Sequence, residues 1–180
     1  MSSNTKRLLF SALLIISFIA VKAGSINFLG PADTVLIAQS NKEFFVGTGA
    51  TTVTIHLPIR HPVKFNDSRK YYLLLKEWTA EKIPDGAYEI YLNNSKLSAI
   101  SLNSNHKSFV NVLDLYTIRP ERYIKIDIGR NLANNEKSNK KIKGFYITII
   151  FRGSVVKGGL PSPDPGLIKF KGVEIISIVR

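Results

Sequence analysis

No cysteine occurs in the 180 residues, which excludes a disulfide framework, thiol catalysis, iron–sulfur clusters and thiolate zinc sites together. Methionine and tryptophan occur once each and histidine three times, so metal ligands are scarce. Apolar runs of membrane-spanning length are missing too. The longest uncharged apolar stretch, Leu8 to Val21, is too short to cross a hydrocarbon core of ~30 Å comfortably as a helix. What remains is 44% hydrophobic and 21% charged, an ordinary globular composition on a length that suits one core.

Lys6 and Arg7 precede the apolar run, and Val21-Lys22-Ala23 follows it in the manner of a cleavage site. The expectation is a signal peptide over residues 1–23, a single domain over 24–180, and a secreted location, extracellular or periplasmic. A short uncleaved anchor is the alternative, because Lys22 sits inside the cleavage region. Cleavage would remove Lys6, Arg7 and Lys22 and no carboxylate, lowering the formal charge from +12 to +9. A surface that basic attracts anionic partners without choosing among them. The densest basic run contains Lys137, Lys140, Lys141 and Lys143 beside Asn131, Asn134 and Asn135. No aromatic residues interleave with these lysines as stacking platforms, which argues against nucleic acid and for a solvated loop leading into a strand.

Downstream of residue 23 the hydrophobic period is two, not 3.6. Val53, Ile55 and Leu57 alternate with Thr52, Thr54 and His56; Tyr88, Ile90 and Leu92 alternate with Glu89 and Tyr91. The same pattern runs through Ile124–Ile128, Phe145–Arg152 and Ile168–Lys171, with a last strand at Val173–Val179. Turn signals punctuate these runs at Gly47–Gly49, Pro84-Asp85-Gly86, Asn93-Asn94 and Asn103–Asn105. Regular short strands with tight turns predict an all-β, antiparallel β-sandwich. Asn131–Asn139 is expected as a polar loop with room for a brief turn of helix, and Gly153–Gly166, rich in proline and glycine, as an exposed loop. Tyr71-Tyr72-Leu73-Leu74-Leu75 is apolar on both faces, so it reads as a central strand whose outer face needs a cover. Either a loop of the same chain or the surface of another protein would serve.

Catalytic signatures are absent: no P-loop, no GxGxxG after a strand, no HExxH and no GxSxG. His56 and His61 are the only local pair of potential metal ligands, and His56 should point outward from a strand while His61 sits in a proline-flanked turn, so the pair is not read as a metal site. His106 reads as a surface residue. The carboxylates are scattered near turns, where aspartate commonly bonds local backbone. No catalytic residue, metal ligand or cofactor is assigned. Sequons stand at Asn66-Asp67-Ser68 and Asn93-Asn94-Ser95.

The stretch Phe44–Leu57, FFVGTGATTVTIHL, followed by Tyr71–Asn93, YYLLLKEWTAEKIPDGAYEIYLN, resembles the C-terminal β-domain of tyrosinases and polyphenol oxidases. Tyr72, Leu74, Pro84, Tyr88, Glu89, Ile90, Tyr91, Leu92 and Asn93 carry the resemblance; Ser108–Val112, Ile126-Asp127-Ile128 and Val173–Ile178 extend it, over roughly residues 34–180. The family's catalytic part holds two coppers through two groups of three histidines on a helical bundle, and three histidines in all cannot supply that set. The resemblance therefore implies the β-sandwich cap without the enzyme: a secreted, non-enzymatic accessory module shielding or assisting a separate tyrosinase-like copper oxidase. Tyr71, Tyr72 and an exposed Tyr91 are the expected partner contacts, since aromatics contribute disproportionately at interfaces. The alternative is a cationic, adhesin-like surface-binding domain for anionic polysaccharide or lipid, with Lys137, Lys140, Lys141 and Lys143 as the anion contacts.

Overall fold

Alternating apolar side chains form strands here because one face of each can be buried against a second sheet. The computed structural model describes residues 33–59, 65–114, 123–136, 142–153 and 164–179, and the signal-peptide reading falls outside them. The strands are β1 (Thr34–Ser40), β2 (Phe44–Gly47), β3 (Thr52–Pro58), β4 (Arg69–Lys76), β5 (Thr79–Lys82), β6 (Ala87–Asn93), β7 (Phe109–Leu113), β8 (Tyr123–Asp127), β9 (Gly144–Gly153), β10 (Leu167–Phe170) and β11 (Gly172–Val179). They form two four-stranded sheets, β1-β11-β4-β8 and β3-β9-β6-β7, and a three-stranded sheet, β2-β10-β5, and each pairing is antiparallel. The sandwich expected from periodicity is the fold.

One core lies between the four-stranded sheets. Leu73, Leu75, Ile124, Ile126, Val173 and Ile175 project from one side, and Leu57, Tyr88, Ile90, Leu92, Phe145, Ile147 and Ile149 from the other. Burying such side chains is worth ~1.5–3 kcal/mol each. The helix α1 (Gly129–Glu136) follows β8, inserts Leu132 into this core and anchors β7 through Asn131, whose Nδ2 donates to the Phe109 carbonyl at 2.7 Å.

The three-stranded sheet continues the first sheet around a corner. β11, flanked by β1 and β4, runs back into β10, flanked by β2 and β5, so the neighbour order is kept across the bend. The chain turns at Asn41–Glu43, at Glu77-Trp78 and at Lys171. Glu77 adopts φ +42° there, and its carboxylate accepts from Lys171 at 2.7 Å across the corner. Strands that bend from one sheet into another are how sandwich corners are made.

β4 is central, as its two apolar faces predict, between β11 and β8. Its inward face carries Tyr71, Leu73 and Leu75. On its outer face the buried Leu74 is ringed by residues of the same domain: Tyr72 and Lys76 along the strand, Lys125 and Glu174 directly across. Lys76 pairs with Glu174 at 2.9 Å, and the Lys125 ammonium sits 3.9 Å from the Tyr72 ring centroid. The stems of these long side chains cover apolar surface while their charges reach water.

Candidate functional site

Among the described residues, the outer face of the sheet β3-β9-β6-β7 carries a second layer of packing. Strand alternation sends Glu89, Tyr91 and Asn93 of β6, and Tyr146, Thr148, Ile150 and Arg152 of β9, to that face. The segment from Asn94 to Ser108 folds over it. Leu97, Ala99, Leu102 and Phe109 pack on Tyr91 and Ile150 as a second, smaller core. A short 3-10 turn, Ala99–Ser101, forms the top of this flap, and its middle residue, Ile100, is 97% exposed.

Polar contacts pin the flap to the sheet. Arg152 donates from Nε to Glu89 Oε2 at 2.7 Å and from a terminal nitrogen to the Leu102 carbonyl. Tyr91 donates its hydroxyl to the same Glu89 oxygen at 2.5 Å. Burial, followed by the bond to Glu89, raises the Tyr91 hydroxyl above the usual tyrosine range; bonds to Tyr91 and Glu89 raise Arg152 in turn. At the near end of the flap, Asn93 is buried and donates from Nδ2 to the backbone and hydroxyl of Ser95, both at 3.1 Å. At the far end Leu92 N–H donates to the Ser108 carbonyl at 2.8 Å. Of the two sequons, only Asn66 is exposed.

A second feature lies beside the flap, where β3 and β9 run past its first residues. His56 and Tyr146 are direct partners across the two strands, with ring centroids 4.7 Å apart. Gly144 makes room for the histidine: a Cβ there would lie 2.6 Å from His56 Nε2. These rings, with Asn94, Ser95, Lys96 and Lys143, line an open depression of about 360 Å³. Among the described residues that line it there is no carboxylate.

Tyr91 is not an exposed contact: it is 1% accessible, because the flap covers the outer face onto which alternation sends it. Tyr71 is also buried, facing the core, where its hydroxyl accepts from Asn66 N–H at 2.9 Å. Tyr72 is half-buried under Lys125. The structure brings none of these three together as a contact surface. Of the basic set, Lys143 lines the depression, while Lys137, Lys140 and Lys141 lie outside the described residues. His56 is exposed as expected and His61 is outside the described residues; His106 accepts from Ser108 N–H through Nδ1 at 3.2 Å. Among the described residues no three histidine, aspartate or glutamate side chains are placed to share a metal ion. Ile100 and Lys96 are the residues that sequence reasoning missed: the flap has neither strand nor helix periodicity, and Lys96 stands far in sequence from the lysine run.

The described residues thus form an antiparallel β-sandwich with one outer face roofed by a pinned flap and an open depression beside it. Its fold is similar to part of a solved structure of latent aurone synthase, a polyphenol oxidase: 10% identity, TM-score 0.50, covering 76% of this chain and 26% of that one. A structure of latent apple tyrosinase aligns at 10% identity and TM-score 0.48, over 75% of this chain and 27% of that one. The chain thus spans about a quarter of the length of those enzymes, and the likeness to the aurone synthase structure is one of fold, the fold that the sequence resemblance implies. No protein-family model matches the chain, and no curated protein matches it.

Proposed function

We propose that this chain is a secreted, non-enzymatic binding module that caps a separate copper oxidase of the tyrosinase type. The observation that supports this reading best is Ile100. Its apolar side chain is 97% exposed on a flap tied down by Arg152, Glu89 and Tyr91, so a partner that buried it would gain apolar contact on a preformed support. Val112, opposite Glu89 in the β6–β7 register, adds exposed apolar surface on the same face. A rigid support matters because a preformed knob loses little entropy on docking. The structures of similar fold are described as latent enzymes, and a cap over a substrate entrance is a physical form that latency can take.

The test is to add the chain starting at Gly24 to the phenol-oxidising domain of a tyrosinase-type enzyme from the same source, freed of any C-terminal region. Saturable inhibition that survives moderate salt, and that Ile100→Asp weakens about tenfold or more, is the expected result. Unchanged oxidation rates and no detectable complex overturn it.

A further inference from the structure

We propose that the depression beside the flap is a binding site for an acidic saccharide, a sugar unit bearing carboxylate or sulfate. Its lining combines two kinds of group on opposite scales of polarity. His56 and Tyr146 offer adjoining ring surface that can take the apolar C–H side of a sugar ring, and Lys96 and Lys143 offer two cations. Ser95 and Asn94 add polar groups at the rim. With two lysines and no carboxylate among the described residues that line it, the depression favours a negatively charged ligand. Its concavity distinguishes it from the flat polybasic surface that an anionic bilayer would meet. A volume of about 360 Å³ suits one or two sugar units.

The three contributing segments are far apart in sequence and held firmly. The β3–β9 register fixes His56 against Tyr146, and the Asn93–Ser95 hydrogen bonds fix the turn that carries Lys96. The site lies beside the flap and does not require a partner on Ile100, so it stands or falls apart from the cap reading.

Calorimetry with a galacturonate tetrasaccharide, a neutral cello-tetrasaccharide, inorganic phosphate and phosphatidylglycerol vesicles tests it, using the chain from Gly24. The expected result is that the acidic tetrasaccharide binds about tenfold or more tightly than the neutral one and than phosphate. Replacing both exposed lysines (Lys96→Ala with Lys143→Ala) should remove about tenfold or more of that affinity, and His56→Thr should weaken it at unchanged salt dependence. Circular dichroism confirms that the variants fold. Equal binding of neutral and acidic sugars, phosphate binding as tightly as the sugar, or an unchanged affinity in the double variant overturns the proposal. So does retention on anionic vesicles without binding of the saccharide.

Discussion

Gly47 and Gly166 lie so close that a Cβ on Gly47 would fall inside the contact radius of the Gly166 carbonyl oxygen. That oxygen accepts from Thr48 N–H at 2.7 Å and from Thr48 Oγ1 at 3.0 Å, closing the end of β2 onto the Asp164–Gly166 turn. Both glycines also have φ values that L-residues rarely adopt, +140° and +65°. Alanine at either position meets backbone on one side and torsional strain on the other. Each of Gly47→Ala and Gly166→Ala should cost about 2–4 kcal/mol, read as a lower urea midpoint at unchanged m.

The same turn controls the alkaline limit of the fold. Tyr88 donates its hydroxyl to the Pro165 carbonyl, and burial, reinforced by the negative charge of Asp164, pushes its pKa from 10.0 to about 12. The folded state therefore holds this proton more tightly than the unfolded one. Its contribution is complete below about pH 10 and is lost as pH rises toward about 12, a decline on the order of 2 kcal/mol. Denaturant midpoints measured across that window should fall, and Tyr88→Phe should flatten the fall. On the acid side the sign reverses: Lys82 and the Gly166 N–H hold the Asp164 carboxylate below its ordinary range. The turn should loosen only as pH drops through that lowered value, observable as a smaller protection factor at the Gly166 amide once the intrinsic exchange rate at each pH is divided out.

Removing Arg152 should free the flap more than it harms the sandwich. Arg152→Ala leaves Glu89 with Tyr91 alone and deprives the Leu102 carbonyl of its donor, so amides of the flap and its borders, Leu102 and Phe109 among them, should exchange faster while those of β6 and β9 stay protected. Tyr91→Ala is a different kind of change. It empties the small core under the flap and should cost about 3–5 kcal/mol, so any loss of partner binding in that variant reports lost folding rather than a lost contact.

Ile100→Asp should leave the unfolding free energy within about 0.5 kcal/mol of the parent, because an exposed side chain has no packing to lose. A larger change would mean that Ile100 packs within its own domain, and equilibrium urea unfolding is sufficient to tell.

Periodicity in the sequence specified the strands whose two faces meet different environments, such as Val53–Leu57, Tyr88–Leu92 and Phe145–Phe151. It missed β5, whose residues Thr79–Lys82 are all exposed and show no apolar alternation; that strand exists because β10 offers it a backbone edge. The corner was invisible for a related reason, since a bend at Glu77 or Lys171 leaves no repeating signal. Alternation sent Tyr91 to the outer face correctly, but its burial depends on Leu97, Ala99 and Leu102, which follow no strand or helix period. The depression escaped notice because Lys96 meets His56 and Tyr146 only through long-range register.

The pairing of β1 with β11 has a consequence for how the protein is made. Thr34 lies opposite Ile178 and Ser40 opposite Val173, so among the described strands the first strand of the sheet is paired in that sheet with the last. β4 likewise waits for β11 on one flank. A ribosome or a translocation pore that has delivered everything up to Lys171 has delivered a chain whose first sheet cannot close. The domain should therefore stay open and dependent on holding factors until the final eight-residue strand emerges, and then fold slowly, as loops spanning nearly the whole chain must close together. Stalling synthesis just before Gly172 should yield a protease-sensitive nascent chain, and extending it past Val179 with a linker that clears the tunnel should yield a resistant one.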